Sequence, residues 1–188
     1  MTPATILAPT YLNMLRALGA WLEKAEAQTS VAETEALLSA RLAPDMFPLA
    51  TQIRFACVQA LEGMYRLRDE DFPPEVQELL DEGRAAVDTP GSLAGARQAI
   101  GRTVDTVATL AEEVPGDDPG RPIAHAIPNG MVFDLTAGSY ARDWAIGQFY
   151  FHVMIAYAIM RANGIDLGKA DYVAHMFRYI RPGTMPSD

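Results

Sequence analysis

Apolar residues recur with helical spacing along most of this chain, and the pattern predicts four long helices. In the first, over 10–27, Tyr11, Leu12, Leu15, Leu18, Leu22 and Ala25 form one stripe, with Thr10 read as the N-cap. A short helical piece follows over 33–40. The second long helix begins after Asp45, also read as an N-cap. Pro48 is tolerated there because the first helical amides have no intrahelical partner. Its inward stripe is Met46, Leu49, Ile53, Ala56, Cys57, Ala60 and Met64. Residues 69–91 read as a connector rich in proline and acid, with a helical turn or more near 75–82. Ser92 then caps a third helix that turns Leu93, Ala96, Ile100, Val104, Val107 and Leu110 or Ala111 inward.

The period changes after a Pro/Gly/Asp loop at 114–121. Ile123, His125 and Ile127 alternate, Pro128-Asn129-Gly130 supplies a turn, and Met131, Phe133 and Leu135 alternate again, which predicts a short β-hairpin. The fourth helix spans 137–162 and ends at Asn163-Gly164, residue types that tolerate a left-handed C-cap. Between 144 and 160 it is almost free of charge and apolar nearly all round, with Ile146, Phe149, Phe151, Val153, Ile155 and Ile159 covering every face. Such a helix must be covered on most sides. Either the C-terminal tail or a second copy covers it, and the expectation is a homodimer through this helix. The run is slightly short for a membrane span and carries Gln148 and His152, which are expensive to bury in lipid, so no membrane segment is expected.

Composition narrows the picture. A chain of 188 residues, 49% apolar, has material for one core. The reading places one domain at 1–172 and a C-terminal extension at 173–188. A formal net charge of -9 argues against nucleic acid, which needs a basic surface. The single cysteine, Cys57, excludes an internal disulfide and any multi-cysteine metal cluster. With no basic stretch ahead of the N-terminal apolar residues, a cytoplasmic location is expected.

Two stretches carry a family signature: 41–49, Arg41-Leu42-Ala43-Pro44-Asp45-Met46-Phe47-Pro48-Leu49, and 149–172, from Phe149-Tyr150-Phe151-His152-Val153 to Lys169-Ala170-Asp171-Tyr172. Together they resemble an uncharacterised bacterial family of unknown function within the DinB/YfiT-like superfamily of metalloenzymes. The resemblance implies an all-α fold, a DinB-like four-helix bundle in up-down-down-up order, often dimeric, here with a short hairpin before the last helix. It also implies a divalent metal, zinc or nickel, held by one histidine from the second helix and a His-x-x-x-His pair from the last; some members are thiol-dependent transferases. This chain departs from that pattern at the ligands. His152 stands for the first histidine of the pair, Ala156 occupies the position four residues on, and Gln52 sits roughly where the second helix would supply its ligand.

The candidate ligand-binding residues are therefore Asp45, Gln52, Gln148 and His152, with His152 the candidate catalytic or metal-binding group, since imidazole titrates near neutrality. Each has a structural alternative. His152 can be a satisfied core histidine, Gln52 and Gln148 polar core residues, and Asp45 a helix cap paired with Arg41. Tyr150 and Tyr157 can fill core or dimer space, Lys169 and Asp171 can fix the tail, and Cys57 can be inert packing. His125 and His175 lack metal-ligand spacing to His152. The leading reading is a dimer that binds a small molecule beside His152 without a tightly held metal; a divalent-metal-dependent transferase and a structural or stress-related interaction protein with a decayed site are the alternatives.

Overall fold

The computed structural model describes residues 2–112 and 118–184. It is mostly helical with one small antiparallel hairpin. The long periodic stretches become α1 (Pro3–Gln28), α3 (Leu49–Arg68), α5 (Leu93–Glu112) and α7 (Ile146–Ala162). Their inward stripes meet in one core cluster that includes Tyr11, Trp21, Ile53, Met64, Ile100 and Phe149. α2 (Val31–Leu37) links α1 to α3, and α4 (Pro74–Ala85) packs along α3.

α1 starts well before Thr10, which is no N-cap. Pro3 opens the helix, where a missing N–H costs nothing, and Ala4, Leu7 and Ala8 prolong the buried stripe. The Thr10 hydroxyl instead donates to the Ile6 carbonyl at 2.7 Å, a bond made inside a helix. α2 begins at Val31 behind a Ser30–Glu33 capping box.

Asp45 is no cap either. It lies exposed in the connector, and α3 starts four residues later behind Pro48. The first amides of α3 are taken by backbone: Leu49 donates to Ala40 O at 2.9 Å and Ala50 to Leu38 O at 3.0 Å. No free donor is left for a side-chain cap. Arg41 does not pair with Asp45; it donates to the Met46 and Val87 carbonyls. Met46 lies outside the helix, half-buried.

The supposed connector at 69–91 holds a full helix. Only Val76, Leu79 and Gly83 of α4 are buried, a stripe too sparse to read as a helix of that length. The Thr51 hydroxyl donates to Gly83 O at 2.8 Å, and a Cβ on Gly83 would lie 2.6 Å from the Phe55 ring, so glycine is what admits α4 this close. Ser92 caps α5 as expected, accepting from the Gly95 amide.

The hairpin forms in the expected place. β1 (Pro122–Ala126) pairs with β2 (Val132–Thr136), with Ile123 opposite Leu135 and His125 opposite Phe133. Gly130 takes φ +87° in the turn. β1 buries Ile123 and His125, whereas β2 stays largely exposed. Half of the predicted loop at 114–121, residues 114–117, lies outside the described residues. The last long helix is not uniform: α6 (Ala137–Ser139) runs into a π-helical stretch, Tyr140–Ala145, before α7. The extra residue per turn moves Tyr140, Ala141 and Ala145 onto the buried side. Gly164, at φ +85°, ends the helix.

After α7, the short helix α8 (Lys169–Tyr172) and a 3₁₀ stretch, Ala174–Tyr179, pack against α1. Asp171 accepts from the Gly168 amide at 2.7 Å and pairs with Lys24 at 3.0 Å. The tail leaves Phe151 and Met154 of α7 exposed, as well as its own Met176 and Phe177. No helix among the described residues is long and apolar enough to cross a membrane.

Candidate functional site around Gln52 and His152

Two of the four candidate residues meet. α3 and α7 pack side by side, and Gln52, in the first turn of α3, reaches His152 in the middle of α7. The Gln52 amide donates from Nε2 to the Phe47 carbonyl at 3.3 Å, which points Oε1 at the imidazole. His152 Nδ1 lies 2.8 Å from that oxygen, so Nδ1 carries the proton and donates. Nε2 is left with its lone pair and no partner among the described residues. Gln52 is buried and His152 half-buried.

The rings of Phe55 and Phe151 stand edge-on to the imidazole, each at 5.3 Å, and Phe47 stands against Phe55 at 5.4 Å. Their low polarity has an electrostatic consequence: burial pulls the His152 imidazole down to about 4, so the ring is neutral at pH 7. Gln148 lies one turn before His152, half-buried, and Asp45 is exposed; no hydrogen bond among the described residues joins either to the pair. The three phenylalanines were not singled out from the sequence. Phe55 lies three residues after Gln52 and Phe151 next to His152, so helical spacing was the available signal. The best-formed cavities are lined by other residues.

The remaining candidates have structural partners. Cys57 is fully buried with its thiol pushed up to about 11, chiefly by burial, so it is no nucleophile. Tyr157 packs edge-on to Trp21 and donates to Leu167 O. His125 is a different case. It is 4% exposed, wedged between Trp144 at 4.4 Å and Tyr140 at 5.4 Å, and neither ring nitrogen has a partner.

Residues 5–173 match the model of a family described as a domain of unknown function, DUF1993. The chain belongs to that family. Among solved structures it is similar to a DinB family member protein from Shewanella denitrificans, at 31% identity and a TM-score of 0.67, over 95% of this chain and 93% of that one. No curated protein matches. The DUF1993 chain thus has the mostly helical, DinB-like fold that its two signature stretches implied.

The metal implied by the superfamily does not fit the donors present. His152 has spent Nδ1 on Gln52, leaving one nitrogen, and the position a turn later is Ala156, fully buried. Gln52 would offer a neutral amide oxygen. Among the described residues no group of three or more His, Cys, Asp or Glu side chains could hold a metal ion. Zinc and nickel want several nitrogen or sulfur donors.

Proposed function

We propose that this protein binds a small molecule against the Gln52–His152 pair, without a resident metal, and acts as a homodimer through α7. The reading rests on the 2.8 Å bond that fixes the tautomer of His152. A neutral imidazole with a committed Nδ1–H and an unused Nε2 lone pair accepts a hydrogen bond from a ligand, in a setting dry enough to strengthen it. Phe47, Phe55 and Phe151 would hold the ligand's apolar part. Gln148 and Asp45 would form the rim, Asp45 offering a solvated carboxylate.

The architecture that supports this is a four-helix bundle in up-down-down-up order. Arg97 of α5 reaches Glu23 and Glu26 of α1, which sets those helices antiparallel. Arg68, at the end of α3, donates to Leu110 O near the end of α5, which sets those two parallel. Pairing of Gln52 with His152, together with Arg66 beside Tyr140, sets α3 against α7. Bundle interiors are established places for such sites. The exposed Phe151, at 56%, and Met154, at 38%, give a second copy an apolar face to cover beside His152. The net charge of -9 and the absence of a membrane-spanning helix among the described residues favour a cytoplasmic protein.

A thermal-shift screen against small thiols such as glutathione and hydroxylated metabolites tests the ligand site. A hit present at a hundredfold its Kd should stabilise the protein by about 2.7 kcal/mol. The gain should vanish in His152→Ala and Gln52→Ala. If nothing binds and His152→Ala merely lowers stability, His152 is a core residue and the reading fails. Stoichiometric metal in untagged protein, lost in His152→Ala, would also overturn it. Light scattering should give a dimer for the natural chain and a monomer for Phe151→Glu; equal masses would place the contact elsewhere.

A further inference from the structure

A second concentration of unused polar groups lies at the far end of α3. Arg66 is fourteen residues beyond Gln52, about 21 Å along the helix at its normal rise. Its Nε is enclosed and has no partner. The guanidinium carbon sits 5.0 Å from the centre of the Phe72 ring, and Arg66 stands beside the Tyr140 hydroxyl. Its charge also reaches His125, whose two ring nitrogens are enclosed and unpaired. Buried polar groups nearly always find partners, so three unmet nitrogens in one neighbourhood call for an explanation.

A cavity of about 450 Å³ opens beside them, lined by Arg66, Phe72, Arg121 and Ile123, with Asp69, Glu70 and Asp71 also on its wall. Its size is that of a small-ligand site. The charges divide unevenly. Arg121 is committed, donating to Asp69 and to the Arg66 and Leu67 carbonyls. Glu70 is bonded to Arg68. Glu62, one turn before Arg66, lies close enough to feel its charge but makes no ion pair with it within 4.0 Å. Beyond the Tyr140 hydroxyl, what Arg66 lacks is an acceptor for its enclosed Nε. An enclosed guanidinium edge is met by a planar carboxylate.

The geometry points to a binding site, distinct from the Gln52–His152 pair, in which Arg66 takes the carboxylate of a small molecule whose flat apolar body lies against Phe72 and Ile123. His125, two residues beyond Ile123 on the same inward face of β1, lies close enough to feel the Arg66 charge. A carboxylate there would supply the negative charge that lets His125 take a proton and pair. The three acids on the wall repel multiply charged anions, so the site selects a monocarboxylate over phosphate.

Benzoate, benzamide and inorganic phosphate are suitable probes, with the ring signals of His125 and Trp144 followed by NMR at about pH 8, where phosphate is a dianion. Benzoate should shift them saturably, while benzamide and phosphate should not. Arg66→Gln should weaken benzoate at least tenfold, Arg66→Lys less, and the exposed Phe72→Ala should weaken it severalfold in a chain that still folds. His152→Ala should leave it unchanged, which separates this site from the other. Absence of a saturable shift would mean that water alone meets these nitrogens and would overturn the proposal. So would equal binding of benzamide or phosphate, or full affinity in Arg66→Gln.

Discussion

Lowering the pH from 7.5 to 5 should cost this protein about 4 kcal/mol of stability, through His125 and His152. Both imidazoles are held down to about 4, the first by burial and then by the Arg66 charge, the second by burial alone. In the unfolded chain each returns to about 6.5. The depressed value lies in the folded state, so the unfolded state binds protons first and stability is lost as pH falls. The loss begins below about 7, amounts to roughly 2 kcal/mol per histidine by pH 5, and approaches about 3 kcal/mol each near pH 4. Asp171 and Glu33, whose carboxyls are held low by hydrogen bonds, add to it only in more acid solution. Glu62, with its carboxyl raised by burial, works in the opposite sense.

Urea midpoints measured across this range should therefore fall steeply for the natural chain. His152→Gln should flatten the fall by about 2 kcal/mol, whatever its effect at pH 7.5. His125→Gln should flatten it by a similar amount, since its ring is wedged between Trp144 and Tyr140. An unchanged slope in His152→Gln would show that its imidazole is not held neutral by the fold.

Replacing Gly63 with alanine should destabilise the protein by about 3 kcal/mol, the upper range for overpacking a core. A Cβ there would run into the Tyr11 hydroxyl and stand 3.0 Å from two of its ring carbons. Tyr11 cannot retreat. It is fully buried and its ring meets Phe149 edge-on at 4.7 Å. The Tyr11 hydroxyl also has no hydrogen-bond partner. Tyr11→Phe alone should therefore be close to neutral or stabilising, since it removes an unsatisfied buried group. In the double variant it removes the closest clash and should restore at least about 1 kcal/mol, a coupling expected of residues in contact. A Gly63→Ala cost below about 1 kcal/mol would mean that α1 slides away from α3 at no great penalty.

The helical class, the hairpin and the place of the closing helix could be read from the sequence, because period and turn chemistry are local. Leu15, Leu18 and Leu22 announce α1 whatever packs on them, and Pro128-Asn129-Gly130 announces the turn. The DUF1993 signature was likewise present in two short stretches. Helix starts were less legible. Asp45 has the right chemistry for a cap, but the Ala40 and Leu38 carbonyls reach the same amides first. α4 was half-hidden because its tight contact with α3 is made through Gly83, and a glycine carries no apolar signal.

The meeting of Gln52 with His152 spans a hundred residues, so no local period could announce it; two residue types suited to one another were all the sequence offered. The aromatic ring set around them, the π-helical stretch that brings Tyr140 to Arg66, and the burial of His125 without a partner are likewise decided by packing. Local sequence fixed which face of each segment avoids water. Only the helices closing on one another decided which polar groups would share that dry interior, because contact between distant segments, not the segments themselves, sets charge state and hydrogen bonding.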